Sequence, residues 1–129
     1  MERKFVEGLE IRVLEEKDLN QFNELLSYVF QITESDIEES GYADKREMIK
    51  SKKPILLYSK VFGWFDQDQL ISQIAIYPCE VNIHGKQYKM GGITGVGTYP
   101  EYARQGLILE LVKVALESML AEKQWISYL

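Results

Sequence analysis

With 129 residues, 46% of them hydrophobic and 27% charged, the chain is sized for one domain with its own core rather than for two. A formal net charge of -5 argues against a nucleic-acid surface, which needs a clustered positive field, and suits a cationic substrate as well as it suits plain solubility. A single cysteine (Cys79) and a single histidine (His84) exclude an intrachain disulfide and a structural zinc set, and neither a signal peptide nor a membrane-length apolar run is present, so a cytoplasmic setting without metal, membrane or nucleic acid is expected.

In chain order, residues 9–14 alternate apolar and charged side chains, the period of a half-buried strand. Asp18 then precedes Leu19, Phe22, Leu25, Leu26, Val29 and Phe30, which recur at three- and four-residue steps and predict a helix. A second helical stretch is expected over residues 35–50, broken or kinked near Gly41. Pro54 is read as closing it, and residues 55–65, rich in β-branched and aromatic side chains, as a strand. A polar turn at residues 66–69 leads into a strand over 70–83. Its apolar parity changes midway, from Ile74 and Ile76 to Val81 and Ile83, which predicts a bulge or bend near Pro78. His84-Gly85 suits a two-residue hairpin turn. The next strand runs through residues 90–98 and carries Gly91, Gly92, Gly95 and Gly97, which suggests a close backbone approach. Residues 107–122 form the strongest helical pattern, with Ile108, Leu111, Val112, Ala115 and Met119 as its apolar stripe, and residues 124–129 read as a last strand. The order predicts an α+β domain: a mixed, mostly antiparallel sheet flanked by helices.

The chemistry concentrates where the glycine-rich strand turns into the long helix. Free N–H groups at a helix start and the helix dipole favour an anion. Gly106 allows close approach to the backbone, and Arg104 adds a charged donor. A phosphate cradle and a plain strand-to-helix turn both account for these residues. A dinucleotide fingerprint is excluded because Pro100 stands where its third glycine belongs, and no Gly-Lys-Ser/Thr completes a P-loop.

The segment Thr94-Gly95-Val96-Gly97-Thr98-Tyr99-Pro100-Glu101-Tyr102-Ala103-Arg104-Gln105-Gly106-Leu107-Ile108 resembles motif A of the GNAT acetyltransferase superfamily. Further blocks resemble its Eis-like (enhanced intracellular survival) branch: Val61-Phe62-Gly63-Trp64-Phe65-Asp66, Ala75-Ile76-Tyr77-Pro78-Cys79-Glu80-Val81, and Lys89-Met90-Gly91-Gly92-Ile93-Thr94-Gly95-Val96. The resemblance implies an acetyl-CoA-dependent N-acetyltransferase acting on a small-molecule or peptide amine by direct attack. It implies that Val96, Gly97 and Thr98 pair with the pantetheine arm, and that Arg104, Gln105, Gly106, Leu107 and Ile108 hold the pyrophosphate. Ala103 and Ile108 depart from the motif, which has Arg or Gln at the first position and Gly or Ala at the last, and Ala103 is expected to weaken cofactor binding. By the same resemblance, residues 1–129 are a GNAT-like domain truncated after its fifth strand, the N-terminal portion of a longer protein. The family's acid tyrosine would fall beyond Leu129, Tyr128 is not given that role, and the fragment alone is expected to be inactive. The exposed edge of its last strand predicts a homo-oligomer or poor order there. The alternative is a GNAT remnant that binds or assembles without turnover.

Other residues carry two readings each. Glu80 is either the carboxylate that takes the amine proton or a surface strand residue. His84 is a base or an exposed turn residue, and Cys79 a nucleophile or a small buried hydrophobe. Glu34, Asp36, Glu38 and Glu39 draw in a cationic amine or form a solvated helix face. Phe22, Phe30, Trp64 and Phe65 wall an acceptor pocket or belong to the core.

Overall fold

The computed structural model describes residues 8–128. Strand β1 is Leu9–Val13 and helix α1 is Leu19–Val29, as the two periodicities require. Between α1 and the sheet's second strand the chain makes three short helices: α2 (Glu34–Glu39), α3 (Lys45–Ser51) and α4 (Lys53–Tyr58). The expected break at Gly41 is present, with the glycine at φ 88°. Thr33 and Asp36 close a reciprocal cap at the start of α2: the Thr33 hydroxyl accepts from the Asp36 N–H at 3.2 Å, and the Thr33 N–H donates to Asp36 Oδ2 at 2.8 Å.

The strand expected over residues 55–65 needs correction. Its first part is α4, and strand β2 runs only over Lys60–Asp66. Pro54 opens that helix instead of closing the preceding one, since a first-turn N–H has no intrahelical acceptor to lose. Leu56 then buries itself beneath the sheet, and that tertiary contact outweighs the β-propensity of the stretch.

Strand β3 (Gln69–Ile83) and strand β4 (Lys86–Thr98) form a long hairpin about His84 and Gly85, whose positive φ values of 50° and 82° fit a tight two-residue turn. The expected irregularity at Pro78 is absent: Pro78 stays in register opposite Gly91. The last β3 residue paired with β2 is Ile76, so Pro78 lies where β3 has lost that neighbour and its missing N–H breaks no ladder. The bulges lie elsewhere, and neither falls between Ile76 and Val81. β3 carries an extra residue relative to β2 at Ile71, opposite Trp64 and Phe65, and β4 carries one relative to β3 at residues 95–96, opposite Ile74. Gly95 takes φ 61° in that second bulge, a left-handed conformation suited to glycine.

Helix α5 (Leu107–Ala121) follows, and strand β5 (Ile126–Tyr128) returns parallel to β4 at Met90, Gly91 and Gly92. The sheet order is β1-β2-β3-β4-β5, antiparallel except for the last pair. The strand expected over 124–129 thus finds its partner within the chain, while Leu129 lies outside the described residues.

Two cores sandwich the sheet. On one face Leu107, Leu111, Val114, Ala115 and Met119 of α5 pack on Phe62, Trp64, Ile71, Ile74 and Ile76. On the other, Phe22 and Leu25 of α1 and Leu56 of α4 pack on Val61, Phe65, Leu70 and Ala75. The even-numbered residues of β2 therefore face α5 and the odd ones face α1. Of the stripe expected on α5, Ile108 and Val112 are only partly buried, and Leu107 and Val114 take the deeper positions. No helix among the described residues is long and apolar enough to cross a membrane.

Candidate active site

The end of β4 has one partner, not two. β5 pairs with β4 only through Gly92, so among the described residues 93–98 are bonded on the β3 side alone. The Tyr99 N–H donates to the Ile71 carbonyl at 3.0 Å, which places Tyr99 on the β3 side of the ladder. By strand alternation Gly97 also faces β3, while the N–H and C=O of Val96 and Thr98 face the open edge. The Ser72 hydroxyl ties this end down: it donates to the Gly97 carbonyl at 3.2 Å and lies 2.7 Å from the Thr98 hydroxyl. A Cβ at Gly97 would stand 2.6 Å from Val29 Cγ2, so glycine here lets α1 lie against the strand.

The open edge leads into the start of α5. Gly106 is the residue before the helix, at φ 76°, and no side chain caps it. The first bond of the new helix runs from the Glu110 N–H to the Gly106 carbonyl at 3.2 Å, which leaves the amides of residues 107–109 without intrahelical acceptors. Arg104, at φ 63°, is the second left-handed residue of the loop. A groove of ≈ 430 Å³ joins these parts, lined by Val96, Gly97, Thr98, Arg104, Gly106, Leu107 and Ile108. Seven of the eight residues singled out in the sequence thus share one cleft, and Gln105 is exposed beside it. Ala103 lines the same cleft and offers no side-chain donor.

Two contacts from β2 bracket the loop, and both were missed in the sequence. The Tyr102 hydroxyl donates to Asp66 Oδ2 at 2.8 Å, just before the loop. The Trp64 indole N–H donates to the Leu107 carbonyl at 3.0 Å in the buried core, just after it. The hydrogen bond to Asp66, then burial, holds the Tyr102 phenol pKa above its ordinary value. These partners lie 36 and 43 residues apart in sequence, so no local pattern could show them.

The remaining candidates lie elsewhere. Glu80 is opposite Lys89 on the exposed outer arm of the β3–β4 hairpin. At least seven residues of strand separate that register from Val96, or about 20 Å. The structure does not bring Glu80 to the groove. His84 is exposed at the hairpin tip, and Cys79 is partly buried with its thiol 3.5 Å from the Tyr77 carbonyl. Tyr128 lies on β5 opposite Gly92. Phe22, Trp64 and Phe65 are core, whereas Phe30 is 62% exposed. Of the acidic cluster, Asp36 is taken up by its cap, and its carboxyl pKa is lowered by the Thr33 backbone and side-chain hydrogen bonds. Glu34 and Glu38 line a separate groove of ≈ 460 Å³ with Asp44. No group of three or more potential metal ligands occurs among the described residues.

Comparison with known proteins places this geometry in context. A family model described as an acetyltransferase (GNAT) domain matches residues 10–129. A protein of Enterococcus faecalis V583, described as a probable N-acyltransferase, superposes with a TM-score of 0.78 at 25% identity, over 92% of this chain and 28% of that one. A GCN5-related N-acetyltransferase from Kribbella flavida gives 0.74 at 19% identity, over 92% of this chain and 29% of that one. The chain therefore spans under a third of the length of these two relatives. A predicted acetyltransferase from Clostridium acetobutylicum, solved with acetyl-CoA, gives 0.73 at 13% identity, over 93% and 79%. The last two likenesses speak to fold alone. No curated protein matched the chain by sequence.

Proposed function

The chain belongs to the acetyltransferase (GNAT) domain family, and from that premise we propose that it binds acetyl-CoA in the groove between the end of β4 and the start of α5 and serves N-acetylation of an amine. The observation that carries this reading is the continuity of two unsatisfied backbone surfaces. The open edge at Val96 and Thr98 runs directly into the uncapped amides of residues 107–109. An extended amide-bearing arm fits the first surface as an added strand. A pyrophosphate fits the second, where amides and helix dipole favour negative charge.

In this reading Val96 and Thr98 orient the arm through their edge-facing backbone groups, and Gly97 keeps α1 against the same strand. Gly106 leaves the helix start open to a bulky anion, Arg104 and Gln105 offer side chains from the loop, and Leu107 and Ile108 supply amides and apolar flanks. Acetyl-CoA, when bound, supplies the thioester whose acetyl group the amine takes by direct attack. Backbone N–H groups near the β4 bulge steady the oxygen that gains negative charge. Ala103 gives no donor, so the affinity rests on backbone groups and Arg104. We also place the chain in the Eis-like branch, on the strength of the blocks on β2, β3 and β4 quoted above. The activity, acceptor and assembly of any longer protein that contains this domain are part of the same proposal.

Isothermal calorimetry with acetyl-CoA tests the reading. Binding in the micromolar range, weakened by Arg104→Ala, is the expected result. Silence with a folded chain overturns the enzyme reading and favours the remnant that assembles without turnover.

A further inference from the structure

We propose that Tyr102 and Asp66 form a positioning pair that holds the 103–106 loop in its anion-receiving conformation. This rests on the acetyl-CoA reading above and adds the residues that prepare the site. The four-residue loop has two left-handed positions, Arg104 at φ 63° and Gly106 at φ 76°. The arginine is the more costly of the two, because its Cβ disfavours that region. Such a conformation persists where its surroundings over-determine it.

Here the surroundings are a single strand. The even-numbered residues of β2 face α5, and two of them, Trp64 and Asp66, reach the two ends of the loop. Asp66 accepts the Tyr102 hydroxyl at 2.8 Å before the loop, and Trp64 donates to the Leu107 carbonyl at 3.0 Å after it. The Tyr102 ring itself packs against the core that contains Trp64 and Leu107. The Trp64 bond is part of that core and serves the fold in any case. The Tyr102 bond is only part-buried, and Tyr102 also lines the groove. A charge-assisted bond of this kind fixes the approach to the loop before a ligand arrives. Affinity then benefits from reduced ordering on binding.

The test is a binding cycle with acetyl-CoA on the whole chain, read by calorimetry, with thermal midpoints measured alongside. Tyr102→Phe and Asp66→Ala are each expected to weaken binding about three- to ten-fold, part of the worth of one charge-assisted hydrogen bond. The double variant is expected to bind no more weakly than either single one, because both remove the same contact. Asp66→Asn keeps an acceptor and is expected to bind like the unaltered chain or tighter. A purely structural contact would lower the thermal midpoint and leave the affinity of the folded chain unchanged, and that result overturns the proposal. Should Tyr102→Phe lose its fold, Asp66→Ala and Asp66→Asn read the same contact from the other side. If the unaltered chain does not bind acetyl-CoA, the functional reading falls and this one with it. If it binds and Tyr102→Phe binds equally well, only the positioning pair falls.

Discussion

At the scale of single residues, the glycines of β4 divide by cause. Gly95 satisfies a backbone angle of φ 61° in the bulge, whereas Gly97 satisfies a distance, with Val29 Cγ2 2.6 Å from where a Cβ would stand. Val29 is β-branched and has little rotamer freedom within a helix. Gly97→Ala should therefore push α1 off the strand and destabilise the chain by about 1–3 kcal/mol, measurable by chemical denaturation. Glycine-rich character was legible in the sequence as a sign of close approach; which glycine met which helix was not, because the partner is set by tertiary packing. Tyr102 gives a pH prediction. Its phenol pKa is raised above 10.0 in the folded chain, chiefly by the bond to Asp66. The contact's contribution is then fully present below the unfolded pKa and is lost as pH rises through the folded one. The stability difference between the unaltered chain and Tyr102→Phe should stay flat from neutral pH to about 9 and vanish in stronger alkali. A difference that fades between pH 5 and 8 would count against this assignment.

Among the elements, α4 shows where pattern reading fails. Residues 55–58 have the composition of a strand, yet the chain is helical there because Pro54 opens a helix and Leu56 finds a buried seat at 4% exposure. Pro54→Ala should change stability little, since the ring occupies a first-turn position. Leu56→Ala should cost about 2–5 kcal/mol by emptying that seat. Thermal unfolding of the two variants distinguishes them, and equal losses would mean that the proline holds α4 as much as the leucine does. The strong periodicities of α1 and α5 were legible because each has one buried stripe. The bulges were not, because between Leu70 and Ile76 both faces of β3 are buried and alternation carries no signal. The distal arm of the same hairpin misled in the opposite way: Val81 is only partly buried and Ile83 is 41% exposed, so the apolar parity there records no core.

Across the whole molecule, the sheet is divided along its length. Strands β2 and β3 are covered by helices on both faces, and β4 parts from β5 beyond Gly92. That divergence leaves the open edge at Val96 and Thr98, and α5 begins beside it. The succession of strands, apart from the start of β2, and most of the residues that line the groove were readable from the chain, because the strand-loop-helix segment is contiguous. The braces from β2 were not, because they join positions far apart in sequence. We propose that the open β4 edge and the uncapped start of α5 receive acetyl-CoA together. Backbone amide NMR during an acetyl-CoA titration measures this most directly. The largest shifts are expected on Val96 and Thr98 and on residues 106–109, saturating together. Shifts confined to other surfaces, such as the Glu34 and Glu38 groove, with these amides unmoved, would contradict it.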